Sequence, residues 1–146
     1  ITKLTTEIIQ SNYVTNEKEN LVVSFDQIKK NILSKSFNVI DARSLERFEG
    51  KVSEPRKGLR SGHIQNSFCL PFNQCINQKT GEFKNLEELR ELFNQNENIE
   101  KRLDQVFTCG SGVTAAVLAY AYKMVNNDYI PKIYDGSWSE YGKYPA

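Results

Sequence analysis

Apolar and polar residues alternate in short blocks along most of the chain. Five apolar runs have the length and the flanking turn residues of buried strands: residues 21–23, 37–40, 68–70, 105–108 and 132–134. Three segments carry apolar residues at helical spacing: residues 24–32, 85–93 and 113–125. Strands that alternate with helices in this way predict an α/β fold, with a mostly parallel central sheet and helices on both faces.

The starts of two predicted helices carry capping residues. Ser24 is followed three residues later by Gln27, which is the spacing of a capping box, and Asn85 is a good N-terminal cap for the next helix. Residues 44–48 predict a short helix, and the polar residues 50–62 predict a long loop.

Length and composition are those of one domain. The chain has 146 residues, of which 39% are hydrophobic and 25% charged, values that are ordinary for a globular protein. Residues 1–20 are polar and lack sustained periodicity, so we interpret them as a linker and residues 21–146 as the domain. The net charge of +1 gives no electrostatic reason to expect nucleic acid or an anionic membrane as a partner. No apolar run approaches the roughly 20 residues of a membrane span.

The chain contains three cysteines, Cys69, Cys75 and Cys109. An odd number without regular spacing argues against a disulfide framework and favours a reducing compartment. We therefore expect the protein in the cytoplasm, or in mitochondria if it is eukaryotic. No Cys-x-x-Cys pair is present and His63 is the single histidine, so we expect neither a bound metal nor another cofactor.

Cys109 differs from the other cysteines in its surroundings. It ends a predicted strand, and the small residues Gly110-Ser111-Gly112 lead into the helix predicted from Val113. Ligands of open parallel sheets bind at the carboxyl ends of strands, and glycines let several backbone N–H groups converge on one point. With the partial positive charge of a helix N-terminus, this arrangement should stabilise a thiolate and lower the pKa of Cys109. A persulfide anion would be stabilised in the same way.

A plainer interpretation of this loop stays open. The glycines can form a simple tight turn, with Cys109 as a small buried apolar residue. A phosphate-binding loop is disfavoured, because the Lys-Ser/Thr pair of the nucleotide signature is missing.

The loop around Cys109 is similar to that of a known family. Residues 109–115, Cys-Gly-Ser-Gly-Val-Thr-Ala, resemble the active-site signature of the 3-mercaptopyruvate sulfurtransferases, the sister group of thiosulfate sulfurtransferases in the rhodanese superfamily. Further matches lie, in order, at Asp41-Ala42-Arg43, Arg47 to Gly50, Glu54-Pro55-Arg56, Gly62-His63-Ile64, Leu70-Pro71-Phe72 and Tyr134 to Tyr141. The resemblance implies a three-layer rhodanese-like fold with residues 21–146 as the catalytic domain. It also implies that residues 1–20 are the linker from a missing N-terminal rhodanese-like domain, which completes the pocket.

The resemblance further implies a covalent mechanism. Cys109 takes the sulfur of 3-mercaptopyruvate as a persulfide and pyruvate leaves, after which a thiol acceptor such as thioredoxin, or cyanide in an assay, removes the sulfur. The implied catalytic residues are Cys109 and Ser111, whose hydroxyl can hydrogen-bond the sulfur or the carbonyl of the donor. The implied substrate-binding residues are Arg47, Arg56, Gly110, Gly112, Val113 and Thr114.

Charge predicts which donor is preferred. Arg47 and Arg56 suit the planar carboxylate of an α-keto acid. Enzymes that use the thiosulfate dianion place basic side chains directly after the cysteine, whereas Gly110 and Ser111 are uncharged here. We therefore expect mercaptopyruvate as donor. The alternatives are a thiosulfate sulfurtransferase, or a non-catalytic rhodanese module for sulfur relay or partner docking. A cysteine phosphatase of this fold is disfavoured, since no arginine follows Cys109.

The remaining candidates are expected to have structural roles. His63 should hydrogen-bond locally, Asp41 and Arg43 should form an ion pair, and Cys69 should be a buried strand residue. Cys75 is expected in a loop where it can be oxidised. We expect Trp138 and Tyr141 to pack beneath the rim of the active site.

Overall fold

Strands and helices alternate along the part of the chain that the computed structural model describes, which is residues 11–16, 18–95 and 102–145. The strands are β1 (Phe37–Asp41), β2 (Ser67–Cys69), β3 (Asp104–Thr108) and β4 (Lys132–Ile133). The α-helices are α1 (Phe25–Ser34), α2 (Leu45–Phe48), α3 (Leu86–Asn94), α4 (Val113–Val125) and α5 (Ser137–Tyr141). Two short 3-10 helices are formed by Glu19–Leu21 and Phe72–Cys75.

The four strands form one parallel sheet in the order β2-β1-β3-β4. In its register, Asp41 lies opposite both Cys69 and Thr108, so the carboxyl ends of the first three strands share one edge. Cys109 directly follows Thr108 and therefore begins the loop at this edge. The prediction of a mostly parallel sheet is confirmed.

Side chains of adjacent strand residues pack on opposite faces of the sheet, which produces two apolar cores. Ile40 and Phe107 belong to the core under α3 and α4, whose buried members also include Leu89 and Leu118. The neighbouring Val39 and Val106 belong to the second core, together with Ile28 of α1, Ile64, Tyr134 and Trp138 of α5. The helices therefore cover both faces of the sheet, and the predicted three-layer α/β arrangement is confirmed.

Capping side chains begin two of these helices. The Ser24 hydroxyl accepts from the backbone N–H of Gln27 at 3.3 Å, and the Gln27 side chain accepts from the Ser24 N–H at 2.7 Å. Asn85 and Glu88 form the same reciprocal pair at the start of α3. Both predicted helix starts are confirmed, and the predicted bounds of the helix over residues 113–125 are those of α4.

One prediction differs from the structure, and two short helices were not predicted. The strand expected at residues 21–23 is reduced to a single parallel bridge between Val22 and Ile133, since the preceding residues form a 3-10 helix. The 3-10 helix at Phe72–Cys75 has four residues and helix α5 has five. Both are too short to show a helical apolar pattern, and neither was expected. Of the predicted linker over residues 1–20, residues 1–10 and 17 lie outside the described part.

Candidate active site

The loop after β3 turns sharply into α4. Gly112 precedes the helix with a φ of 82°, in the left-handed region that favours glycine. A Cβ atom at this position would lie 2.6 Å from a carboxylate oxygen of Asp135 and 3.1 Å from its backbone oxygen. Only glycine fits both the conformation and the space, so the chain can pass close to the 134–136 turn and begin the helix at Val113.

The start of α5 binds the polar backbone of this loop. The N–H of Trp138 donates to the carbonyl oxygen of Cys109 at 2.9 Å, and the N–H of Ser139 donates to that of Gly110 at 2.9 Å. The Ser137 hydroxyl accepts from the N–H of Cys109 at 3.2 Å. Two carbonyl oxygens are thus held by α5, away from the thiol, which leaves the following N–H groups to face the sulfur.

These N–H groups determine the acidity of Cys109. Burial acts to raise the pKa of this thiol, but hydrogen bonds from the Thr114 hydroxyl and from the backbone N–H groups of Ser111, Ala115 and Thr114 outweigh it. The pKa of Cys109 is therefore lowered from its ordinary value. The Ser111 N–H lies 3.4 Å from Sγ. The arrangement predicted for the loop is present, and the sulfur can ionise there although the residue is only 2% exposed.

The other two thiols lie in different environments. Cys69 is half-buried in β2, and desolvation raises its pKa to about 12. Desolvation also raises the pKa of Cys75 to about 11. The expectation that Cys75 lies in an oxidisable loop was wrong, because it ends the 3-10 helix Phe72–Cys75 and is fully buried in the core under α3 and α4.

The long loop over residues 50–62 is closed at its base by tight backbone contacts. A Cβ atom at Gly50, which has a φ of 75°, would lie 3.2 Å from the backbone nitrogen of Gly62. The buried guanidinium of Arg43 donates to the Gly62 carbonyl oxygen at 2.8 Å. The two ends of the loop are therefore held together, and its middle carries Glu54 and Arg56 towards Cys109.

His63 fixes α2 against the end of the same loop. Its ring stacks on that of Phe48 with centroids 4.0 Å apart, and its Nδ1 lies 2.8 Å from the Phe48 carbonyl oxygen. The expected local hydrogen bond of His63 is confirmed. Because Arg47 precedes Phe48, this contact also orients the helix that carries the arginine.

Four charged side chains, Asp41, Arg43, Glu54 and Arg47, form a continuous chain beneath the loop. Arg43 lies 2.7 Å from Asp41 and 2.8 Å from Glu54, and the other oxygen of Glu54 is 2.5 Å from Nη2 of Arg47. The Arg43 and Glu54 side chains are 0% and 2% exposed. Arg43 also stacks over the Trp138 ring at 4.4 Å. The predicted ion pair between Asp41 and Arg43 is confirmed, and so is the packing of Trp138, which is buried beneath the loop.

An open cleft of about 380 Å³ lies above Cys109. It is lined by Arg47, Pro55, Arg56, Cys109, Gly110, Ser111, Val113 and Thr114. Seven of the eight predicted site residues are therefore brought together. Gly112 does not line the cleft, since it is buried against Asp135 on the other side of the loop.

Gly110 is the point at which the arginines approach the cysteine loop. A Cβ atom there would lie 3.0 Å from Nη2 of Arg47 and 3.7 Å from Nη1 of Arg56. Arg56 Nη1 also donates to the Gly110 carbonyl oxygen over 3.4 Å. The absence of a side chain at Gly110 thus makes room for two guanidinium groups beside the sulfur.

Sequence reasoning assigned no role to Glu54 or Ser137. Glu54 stands in the quoted Glu-Pro-Arg match, which is a signal that could have found it. Ser137 stands in the quoted match from Tyr134 to Tyr141, but nothing in that match indicates its contact with Cys109 across 28 residues of sequence.

Among the residues that the structure describes, no group of three or more His, Cys, Asp or Glu side chains is arranged to hold a metal ion. In the same part of the chain, none of the helices combines the length and the apolar character that crossing a bilayer requires.

Comparison with known proteins agrees with the fold and the resemblance. The sequence profile of the rhodanese-like domain family matches residues 24–144. The mitochondrial thiosulfate/3-mercaptopyruvate sulfurtransferase 1 of Arabidopsis thaliana is 41% identical over 133 residues, which cover 91% of this chain and 34% of that protein. Human 3-mercaptopyruvate sulfurtransferase is 39% identical over 120 residues, covering 82% of this chain and 39% of the human protein.

A solved structure shows the same fold. The crystal structure of SseA from Escherichia coli, a 3-mercaptopyruvate sulfotransferase, matches with a TM-score of 0.71 at 30% identity, and the match covers 92% of this chain and 48% of that one. The chain spans between about a third and a half of the length of these three proteins.

Proposed function

Because this chain belongs to the rhodanese-like domain family, we propose that it carries sulfur on Cys109 as a 3-mercaptopyruvate sulfurtransferase. The observation that carries the proposal is the cleft itself, in which a thiol of lowered pKa lies beside two arginines. The names of the relatives from Arabidopsis and human support the same activity.

The first half-reaction is an attack by the Cys109 thiolate on the sulfur of 3-mercaptopyruvate. A sulfur–sulfur bond forms, and the carbon–sulfur bond of the donor breaks. Its electron pair passes to the methylene carbon, where the adjacent carbonyl stabilises it as an enolate. That carbon then takes the proton of the donor thiol, so that pyruvate leaves and Cys109 is left as a persulfide anion. The N–H groups that stabilise the thiolate suit this anion equally well.

The arginines are proposed to bind the carboxylate of the donor. Arg56 reaches over the loop from the 50–62 segment, and Arg47 presents its terminal nitrogens to Gly110. Guanidinium groups match carboxylates with paired N–H donors. The Ser111 hydroxyl and the backbone of Gly110, Val113 and Thr114 are proposed to hold the sulfur and the carbonyl of the donor; Gly112 supports them through the turn of the loop rather than by contact.

The second half-reaction returns the cysteine to its starting state. A thiol acceptor, for which we propose thioredoxin, or cyanide in an assay, attacks the outer sulfur, and Cys109 leaves as a thiolate. The N-terminal rhodanese-like domain expected from the resemblance is part of this proposal as the cover of the cleft. The cytoplasm is the proposed compartment, and mitochondria are the alternative because the Arabidopsis relative is named mitochondrial.

Thiosulfate is the second candidate donor, since the Arabidopsis relative is named for both substrates. In that case the thiolate would displace sulfite from the thiosulfate sulfur and the same persulfide would form. A non-catalytic module would form no persulfide with either donor.

Mass spectrometry after incubation with mercaptopyruvate tests the proposal. We expect a gain of one sulfur, mapped to the peptide that contains Cys109, with release of pyruvate. Cys109→Ser should lose both, and Cys69→Ser is the matched control that should retain both. Persulfide on another residue, or pyruvate release by Cys109→Ser, would overturn the assignment.

A further inference from the structure

We infer that Glu54 sets the net charge of the donor site and thereby its preference for a donor with one negative charge. This inference rests on the proposed sulfur transfer and specifies which class of donor the site accepts. Its basis is the chain of four charged side chains beneath the cleft, together with the different states of the two arginines that line it.

Glu54 occupies one edge of the Arg47 guanidinium. Its two oxygens accept from Nε of Arg47 at 3.1 Å and from Nη2 at 2.5 Å. The same carboxylate accepts from Nη1 of Arg43 at 2.8 Å. Both terminal nitrogens of Arg47 nevertheless lie beside Gly110, since a Cβ atom there would be 3.0 Å from Nη2 and 3.8 Å from Nη1. Arg47 can therefore donate hydrogen bonds into the cleft while its charge is matched by a carboxylate.

The formal charges beneath the loop cancel. Asp41 and Glu54 each carry one negative charge, and Arg43 and Arg47 each carry one positive charge. Arg56 is different, because within residues 18–95 and 102–145 it makes no ion pair and only the 3.4 Å contact with the Gly110 carbonyl oxygen. Apart from the Cys109 thiolate, which meets either donor alike, the site thus offers one unmatched cation, which suits one carboxylate better than the dianion thiosulfate.

Burial makes the Glu54 charge effective. Its side chain is 2% exposed, whereas that of Arg47 is 25% exposed. Charges that are shielded from water act over longer distances than exposed ones. An exposed carboxylate nearby, Glu46 of α2, provides the matched control, since Glu46→Gln removes the same charge where solvent screens it.

The test compares kcat/KM for thiosulfate and for mercaptopyruvate with cyanide as acceptor. In Glu54→Gln we expect the ratio of the thiosulfate value to the mercaptopyruvate value to rise about tenfold, the effect of one unit charge over roughly 8 Å at an effective dielectric constant of about 30. Glu46→Gln should change this ratio less than about twofold. The double variant Glu54→Gln/Arg47→Gln removes both charges of the pair and should return the ratio towards that of the unmodified protein.

Arg47→Gln alone should change the donor ratio in the opposite direction. Glu54 keeps its ion pair with the buried Arg43 in this variant, so no buried charge is left unpaired and we expect the variant to fold. The four side chains beneath the loop then carry a net negative charge. The inference predicts a lower thiosulfate to mercaptopyruvate ratio. A ratio that rises in Arg47→Gln would show that the hydrogen bonds of Arg47 to the keto-acid carboxylate outweigh its charge in the choice of donor, and would overturn the inference. This variant decides the matter even if Glu54→Gln fails to fold.

Alkylation of Cys109 provides a readout that needs no sulfur transfer. The rate with the iodoacetate anion, divided by the rate with neutral iodoacetamide, reports the charge around the sulfur and is insensitive to the fraction of thiolate. It should rise in Glu54→Gln and stay constant in Glu46→Gln. Unchanged donor and alkylation ratios in Glu54→Gln would overturn the inference. Failure to turn over either donor, with the proposed N-terminal domain present, would instead overturn the proposed function, and the alkylation ratio would still test Glu54.

Discussion

The backbone N–H of Cys109 donates to the hydroxyl of Ser137 over 3.2 Å, which joins the cysteine loop to the first residue of α5. That hydroxyl also donates to the Tyr134 carbonyl oxygen at 2.8 Å and accepts from the Thr108 hydroxyl at 3.3 Å. Ser137 is fully buried and has a φ of 50°, a left-handed conformation that is costly for a residue with a side chain. The hydroxyl contacts offset this cost, and the position of Cys109 therefore depends on them.

Two substitutions of Ser137 should distinguish the stability contributed by its hydroxyl from the cost of its left-handed backbone conformation. Ser137→Ala removes the hydrogen bonds and keeps the conformational cost, so we expect a loss of about 1–3 kcal/mol in the free energy of unfolding. Ser137→Gly also removes the hydrogen bonds but relieves the left-handed conformation, so it should be more stable than Ser137→Ala by about 1 kcal/mol. Urea unfolding of both variants measures the difference. An alanine variant as stable as the glycine variant would contradict the assigned conformation.

Thr114 should control the pH dependence of Cys109. Its hydroxyl donates to the Cys109 sulfur and favours the thiolate, which opposes the effect of burial. Thr114→Val removes this hydrogen bond and should therefore raise the pKa of Cys109. The rate of alkylation by iodoacetamide increases with pH as the thiolate forms. In Thr114→Val this increase should occur at a higher pH than in the unmodified protein. Thr114→Ser keeps a hydroxyl and is the matched control. An unshifted profile in Thr114→Val would show that the backbone N–H groups alone set the acidity.

The two glycines of the loop should respond differently to alanine. At Gly110 the added Cβ would meet only the ends of the flexible Arg47 and Arg56 side chains, so Gly110→Ala should fold normally and raise KM for the donor. At Gly112 it would meet the Asp135 backbone oxygen, at a φ of 82°. Gly112→Ala should therefore lower the free energy of unfolding by about 1–3 kcal/mol. Thermal unfolding and donor kinetics on both variants test the contrast, which equal stabilities would contradict.

Features that depend on neighbouring residues could be predicted from the sequence, whereas contacts between residues far apart in the chain could not. The bounds of α4 and the caps at Ser24 and Asn85 were predictable, because they depend on neighbouring residues. The place of Cys109 was predictable because parallel strands end at a common edge. The contacts of Glu54 and Ser137 could not be predicted, because the path of the 50–62 loop and the position of α5 depend on residues far away in sequence. The same holds for Cys75, whose burial follows from packing and not from its polar neighbours.

The three thiols should differ widely in reactivity. At pH 8 a thiol with a pKa of about 12, as for Cys69, has roughly one thiolate in ten thousand molecules. Cys75 has a pKa of about 11 and is also fully buried. We expect iodoacetamide to label Cys109 at least about 100-fold faster than either. Peptide mapping during the reaction measures the three rates, and early labelling of Cys69 or Cys75 would contradict the environments described for them.

Arg56 should contribute to donor binding more than to stability. Its side chain is exposed and makes one long contact with the Gly110 carbonyl oxygen, so Arg56→Ala should change the free energy of unfolding by less than about 0.5 kcal/mol. Because no carboxylate of the described residues pairs with it, its loss should raise KM for mercaptopyruvate about tenfold or more with a smaller effect on kcat. Arg56→Lys keeps the charge without the paired N–H donors, so its KM should lie between those of the unmodified protein and of Arg56→Ala.

Steady-state kinetics at two salt concentrations tests both effects of Arg56. The KM of the unmodified protein and that of Arg56→Lys should rise with salt, whereas the KM of Arg56→Ala should depend on salt less. An unchanged KM in Arg56→Ala would assign carboxylate binding to Arg47 alone.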